Sequence, residues 1–249
     1  MELRGKVALI TGGTRGIGAA CAVELARRGT KVSLVGRNLD DEAVATREGI
    51  EASGGTCHLI SADMGRPADA ARCVGETVEA LGGPDVLVHS AGGLVAGGLM
   101  EVTPEAWMNG FDVHVHAVYH LCRAAVPEMK RKKEGAILLI SSVAGIRGVK
   151  MHIAYQAVKG VLPQLTRALA FELADDNIRV NCVAPGIIRT AFHAKMTEEQ
   201  KRHNLDHRIP LHREGTPEQV ASLGLELITN DYVTGETMTI DGGLTMRVP

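Results

Sequence analysis

At 249 residues, with 45% hydrophobic and 22% charged residues, the chain suits one large domain with a sizeable core and is too apolar for intrinsic disorder. Its 27 basic and 29 acidic residues leave a formal charge of −2, which excludes the cationic footprint of a nucleic-acid or anionic-membrane binder. Aromatics at 3% argue against a base-stacking platform, while 29 glycines argue for backbone that turns tightly or approaches a ligand closely.

Short apolar runs at 6–11, 31–35, 56–60, 85–90, 136–141, 178–184 and 237–240 read as strands. Most are nearly continuous rather than alternating, as strands covered on both faces are. Helices are predicted between them near 16–28, 40–53, 67–81, 104–134, 152–174 and 216–229. This alternation implies right-handed crossovers and an α/β fold: one doubly wound sheet of about seven parallel strands, spanning residues 1–249 as a single domain. The segment 186–215 shows no clear strand and reads as a binding loop or lid. Phe192 and Met196 would supply an apolar wall there, with His203 and His207 on its surface or in a pocket.

The N-terminus lacks the apolar core and cleavage site of a signal peptide, and no run of about 18 apolar residues predicts a membrane span. Cys21, Cys57, Cys73, Cys122 and Cys182 are odd in number, widely spaced and form no C-x-x-C pair. They read as reduced thiols of a cytoplasmic protein. His116 and His120 have metal-binding spacing, but no third ligand accompanies them, so no metal site is expected.

The first strand runs into Gly12-Gly13-Thr14-Arg15-Gly16-Ile17-Gly18 and then into a helix. The glycines at 12, 16 and 18 permit a tight turn, close backbone approach to a pyrophosphate, and helix–strand packing. The helix N-terminus offers free N–H groups to the phosphates. At the end of the second strand, where a dinucleotide's ribose hydroxyls meet a carboxylate in NAD-selective sites, stands Arg37. Arg15 faces the same region, and two guanidiniums suit a 2′-phosphate. NADP(H) is therefore favoured, with NAD(H) possible. Asp40 and Asp41 are placed too far along to be the ribose carboxylate, and the bland reading keeps both arginines as solvated surface charges.

Tyr155 and Lys159 lie four apart in a helical stretch and share one face. A tyrosine of pKa about 10 is too weak an acid–base for neutrality, and a neighbouring cation favours its anion. Ser142, at the end of the fifth strand, could hold a substrate oxygen beside it. Alone, a Tyr-x-x-x-Lys pair is more often a packed tyrosine beside a surface lysine. In combination, the glycine turn, Ser142, and Tyr155 with Lys159 thirteen and seventeen residues further on strongly resemble the short-chain dehydrogenase/reductase family, along essentially the whole chain. Asp63, Ser90-Ala91-Gly92, Asn181 through Pro185-Gly186 to Thr190, and Asp241-Gly242-Gly243 add to the likeness.

The resemblance implies a Rossmann fold and a nicotinamide-dependent oxidoreductase interconverting a ketone and a secondary alcohol. Tyr155 would be the acid/base, Ser142 would orient the carbonyl, and Lys159 would bind the nicotinamide ribose and lower the Tyr155 pKa. Gly12, Thr14, Arg15, Gly16, Ile17 and Gly18 would line the pyrophosphate and adenosine path. Asp63 and Met64 would meet the adenine, Ala91 and Gly92 would pass beneath the cofactor, and Pro185, Gly186, Ile188 and Thr190 would hold the carboxamide. A homotetramer or homodimer is implied, with helices 104–134 and 152–174 at an interface.

Two positions depart from the family pattern. His114 stands where the family has an asparagine of the proton relay; an imidazole there could hold the relay water, or titrate and give activity an acid limb. His89-Ser90 replaces the usual asparagine before Ala-Gly and unsettles the bonding between central strands. Within the family the chain resembles the 3-oxoacyl-acyl-carrier-protein reductase branch, through Ile209-Pro210-Leu211 and Gly215-Thr216-Pro217-Glu218. At two positions that would dock an acidic carrier it has Lys133 and Asp176, one basic and one reversed, so a small carbonyl substrate stays open. The alternative is a non-catalytic sensor or scaffold that binds the cofactor.

Overall fold

A computed structural model of the chain describes residues 1–193 and 196–246. Strands β1 (Val7–Thr11), β2 (Lys31–Gly36), β3 (Cys57–Ser61), β4 (Val86–His89), β5 (Gly135–Ile140), β6 (Ile178–Pro185) and β7 (Thr237–Ile240) form one parallel sheet in the order 3-2-1-4-5-6-7. The chain winds outward from β1 to β3, returns to lay β4 against the other side of β1, and winds outward again to β7. That reversal between β1 and β4 leaves a crevice beyond the strand ends, where ligands bind in such sheets.

The apolar runs form strands because each residue, of either parity, finds a helix to bury against. Leu9, Leu87, Ile137 and Val180 face one layer, with α3 (Pro67–Leu81), α5 (Ala117–Lys132) and α6 (Ile153–Leu173). Ala8, Ile10, Leu34, Val88 and Leu138 face the other, with α1 (Gly16–Arg27) and α8 (Pro217–Thr229). Each buried Leu or Ile stabilises the fold by about 1.5–3 kcal/mol relative to exposure. The edge strands β3 and β7 are the least buried, having one neighbour each. Helix α2 (Asp41–Ala52) completes the first half, capped by the Asp40 carboxylate on the Ala43 amide. The five cysteines are free thiols, and four are buried.

Two predicted elements differ. The long helix expected over 104–134 is α4 (Pro104–Phe111), a π-turn at Asp112–His116, and α5. π-turns widen a helix by one residue and occur often at functional sites; this one has His114 at its centre. The segment 186–215, expected to be irregular, contains α7 (Glu198–His203), started by a capping box between Thr197 and Gln200, and a second π-turn at Asn204–Arg208. The signal was in the sequence: Thr-x-x-Gln before a charged turn is a helix start. Ala194 and Lys195 of that segment lie outside the described residues.

Apolar residues of the two helices expected at an interface lie at different depths. Val118, Leu121, Ala125 and Leu162 are core, whereas Leu165 and Leu169 are partly buried against it. No helix among the described residues is long and apolar enough to cross a membrane.

Candidate active site

The strand ends open into a cavity of about 1220 Å³. It exceeds an ordinary small-molecule pocket and has room for two ligands side by side. One arm begins at the turn between β1 and α1. Gly12 has φ +64°, and a Cβ there would stand 2.8 Å from the Ala91 amide nitrogen; one on Gly18 would stand 2.1 Å from the Gly12 carbonyl oxygen. The turn is thus folded against both its own helix and the β4 end, with no room for side chains. Arg15 is the N-cap residue of α1 but makes no side-chain capping bond, and the first turn holds no acidic residue. The helix N-terminus at Gly16 and Ile17 therefore presents uncapped amides to the cavity, a geometry that fits an anionic group.

Gly12, Thr14, Arg15, Gly16, Ile17, Arg37, Asp63, Met64, Ala91 and Gly92 all line this one cavity, as do Pro185, Gly186, Ile188 and Thr190, the last beside Gly16. Gly18 does not line it; its place is against the Gly12 carbonyl, a packing role rather than a ligand contact. Arg37 is exposed and has no ion pair among the described residues. Arg15 differs from expectation: it is held by Asp40 at 2.5 Å and Glu42 at 3.0 Å. Asp40, read from the sequence as too distant, therefore reaches this corner, because the extended residues after β2 fold back over the glycine turn. The guanidinium in turn holds the Asp40 carboxyl below its ordinary value.

Ser142 follows β5 and caps a 3-10 turn at Val143–Gly145, accepting from the Ala144 amide at 3.2 Å. Tyr155 and Lys159 stand one turn apart on α6. Lys159 is buried and donates from Nζ to the Ile140 carbonyl at 2.8 Å, while the Ser141 hydroxyl donates to the Lys159 carbonyl at 2.7 Å. These bonds fasten α6 to the end of β5, and so fix Tyr155 relative to Ser142. The ammonium lies 5.8 Å from the Tyr155 ring centre. Burial lowers Lys159 to about 8, so it remains a cation at neutrality. Burial raises the Tyr155 phenol above its ordinary value, and a hydrogen bond from the side of Ser142 opposes that. Phe192, tilted over Tyr155 with ring centres 5.9 Å apart, walls the same pocket. Met196 lines it as anticipated, His152 lines it as well, and of His203 and His207 only His203 does.

His114 is buried at the heart of the site. Its Nε2 donates to the Gly93 carbonyl at 3.0 Å, which leaves Nδ1 as an acceptor without a protein partner. Its ring stands edge-on to Tyr155 with centres 6.0 Å apart. Gly92, at φ +133°, lies so close beneath that a Cβ would stand 2.0 Å from His114 Cε1. Burial, then the Lys159 charge, lower its pKa to about 2. Burial thus holds the imidazole neutral, which favours the water-holding alternative over an acid limb. His89 is likewise held neutral, near 3, by burial and Lys159. It does bond across the central strands, Nδ1 to the Thr11 hydroxyl at 2.9 Å, opposite it in the β1–β4 register. The bonding that this replacement unsettled in sequence is made by a different pair.

The remaining motifs are structural. Asn181 donates to the Leu227 and Val233 carbonyls and accepts from the Glu236 amide, tying β6 to the chain between α8 and β7. Asp63 accepts from the Gly65 amide at 3.0 Å, shaping the turn after β3. His116 bonds Asp112, His120 packs edge-on to Tyr119, and no group of three metal-ligating side chains exists among the described residues. Asp176 pairs with Lys130 at 2.9 Å and Lys133 at 3.3 Å. Sequence reasoning missed Leu94, Val95, Asn204 and Arg208 of the cavity wall; nothing in their spacing marks them, because they meet only when the loops fold over the sheet.

The fold and the arrangement of serine, tyrosine and lysine around a glycine turn define a dehydrogenase-like site on a doubly wound sheet. Comparison with known proteins gives the same class. A family model described as enoyl-(acyl carrier protein) reductase matches residues 12–245. Dehydrogenase/reductase SDR family member 4 of Pongo abelii is 37% identical over 99% of this chain and 90% of its own length. The 3-oxoacyl-[acyl-carrier-protein] reductase of Chlamydia muridarum is 33% identical over 96% of this chain and 97% of its own. Among solved structures, a blue fluorescent protein from a metagenomic library, in complex with NADPH, superposes with a TM-score of 0.91 at 32% identity, covering 98% of this chain and all of that one. The chain belongs to the short-chain dehydrogenase/reductase family, a family of oxidoreductases.

Proposed function

We propose that this protein is an NADP(H)-dependent oxidoreductase that interconverts a ketone and a secondary alcohol, with Tyr155 as the acid/base. The observation that carries the reading is the convergence of Ser142, Tyr155 and Lys159 on one end of a cavity whose other end is an uncapped glycine turn. A nicotinamide held there would supply or accept the hydride at the carbonyl carbon. The uncapped amides of Gly16 and Ile17 would hold its pyrophosphate, Arg37 and Arg15 its 2′-phosphate, and Ile188 and Thr190 its carboxamide end.

The chain's own contribution is the proton and its placement. Tyr155, with its phenol raised by burial, holds its proton at neutrality and is suited to give it to a carbonyl oxygen. The Ser142 hydroxyl steadies that oxygen. Lys159, cationic at neutrality, favours the phenolate left behind and so eases the return of the proton. His114, neutral, keeps Gly92 and Gly93 in place and offers Nδ1 to a water. Exposed Arg37 supports NADP(H) over NAD(H); the engagement of Arg15 by Asp40 and Glu42 makes Arg37 the first contact and Arg15 the second. Asp176, paired with Lys130 and Lys133, offsets part of the positive charge an acidic carrier would meet there, which favours a free small molecule. Exposed Phe171 on α6 and Tyr119 on α5 support a homotetramer or homodimer through these helices.

The test is to follow NADPH and NADH absorbance with a panel of ketones and dicarbonyls. Substrate-dependent loss of NADPH absorbance is expected, falling by about 10²–10⁴-fold in Tyr155→Phe, the usual contribution of a positioned acid/base, while the variant still binds NADPH. Full activity in Tyr155→Phe removes that residue from the mechanism. NADPH binding with no turnover of any ketone favours the non-catalytic alternative.

A further inference from the structure

Charge is distributed unevenly along the cavity. Its acidic lining residues are Glu42 and Asp63, both at the glycine-turn end, and Glu42 is spent on Arg15. The polar lining contributed by the loops over the strand ends holds no carboxylate: His152, Arg189, Gln200, His203, Asn204 and Arg208. Arg189 is taken by Glu214 at 3.4 Å. Arg208 has no carboxylate within ion-pair distance among the described residues. It is held from one side, Nη1 donating to the Asn204 side-chain oxygen Oδ1 at 2.8 Å. Asn204 is itself buried, and its amide nitrogen donates to Met196 Sδ at 3.5 Å, so the anchor is fixed. A guanidinium has five N–H donors in a planar fork, and this anchoring bond uses one. The apolar lining of the cavity includes Leu94, Val95, Val149, Phe192, Met196 and Leu244, with Phe192 against the Tyr155 ring and Met196 against the Asn204 that anchors Arg208.

We infer that the substrate is a small carbonyl compound bearing an oxyanion, a carboxylate or a phosphate, which Arg208 receives while its apolar body lies along this wall and its carbonyl meets Ser142 and Tyr155. This rests on the reading of the cavity as a site of carbonyl reduction. The chemistry follows from complementarity. A forked cation anchored at a pocket mouth, with no acid opposite it, recognises an anion with direction as well as charge. His203 lines the same cavity and adds a polar ring to this wall. An uncharged ketone would leave Arg208 unused, and a cationic one would be repelled.

The experiment compares matched pairs in kcat/KM: keto carboxylates of increasing length against their methyl esters, and dihydroxyacetone phosphate against dihydroxyacetone. The anionic member is expected to win by about ten- to a hundredfold, the span for a hydrogen bond between charged groups. Which pair shows the margin tells carboxylate from phosphate. Arg208→Gln should erase the margin by raising KM for the anion while leaving the neutral partner unchanged, and Arg208→Lys should restore part of it. Equal use of acid and ester, or an equal loss for both in Arg208→Gln, overturns the inference while leaving the oxidoreductase reading intact. Calorimetric binding of the keto carboxylate to the NADP-loaded protein, lost in Arg208→Gln but with no turnover of any ketone, does the reverse. Neither binding nor turnover overturns both.

Discussion

Lys159 is an expensive residue to keep, and its replacement is a direct test of how the site is built. Its ammonium is buried among strand ends, and burial lowers its pKa from the ordinary 10.5 to about 8. At about 1.4 kcal/mol per unit, that difference costs the folded state about 3 kcal/mol wherever both states are protonated. The bond to the Ile140 carbonyl offsets part of this, about 1–2 kcal/mol for a charged donor that replaces water. Lys159→Met, which keeps the length of the stem without the charge, is therefore expected to stabilise the protein by about 1–2 kcal/mol at neutrality while turnover is lost. Urea unfolding of protein stripped of nucleotide measures the difference. The pH dependence gives the sharper signature. Below pH 8 both states carry the proton and the folded state bears the full cost. Between pH 8 and 10.5 only the unfolded chain still holds it, so wild-type stability rises with pH relative to the variant. Above 10.5 the cost is gone. The gap between the two proteins should thus close and then reverse across that window. Parallel stability curves from pH 7 to 10 would refute the claim that Lys159 is a buried charge maintained for function at the expense of stability.

Three further outcomes are expected. Asp40→Asn frees one side of Arg15 while retaining the cap on α2, since asparagine caps as well as aspartate; NADPH should bind more tightly relative to NADH, and Arg37→Asp should move the ratio the opposite way, both read by fluorescence titration. Gly92→Ala forces a methyl to within 2.0 Å of the His114 ring at a φ of +133°, so it should cost about 2–5 kcal/mol of stability and displace the strip beneath the cofactor, seen as a lowered melting temperature together with weakened nucleotide binding. His114 should contribute no acid limb: profiles of kcat/KM for wild type and His114→Asn should have the same shape between pH 5 and 8, because the imidazole titrates near 2, and a limb present only in the wild type would contradict its burial as a neutral acceptor.

The sequence by itself determined the sheet and most of the site. Continuous apolar runs such as those of β1, β4 and β5 can satisfy both faces only between two helical layers, so the strand–helix alternation already implied a doubly wound sheet. The glycine turn and the Tyr155–Lys159 spacing were legible because they are local: φ > 0 at Gly12 and one helical turn on α6 are properties of a few consecutive residues. The tertiary structure alone decided what depends on neighbours distant in the chain. Arg15 meets Asp40 and Glu42 because residues after β2 fold back over the turn after β1. His114 stays neutral because Gly92 and Gly93 of the loop after β4, and Tyr155 and Lys159 of α6, bury its ring and set a cation nearby. Arg208 becomes the uncompensated cation of the pocket mouth because Asn204 and Met196 anchor that segment beside the cavity. Charge state and availability are set by desolvation and by partners, and those exist only once the chain has folded.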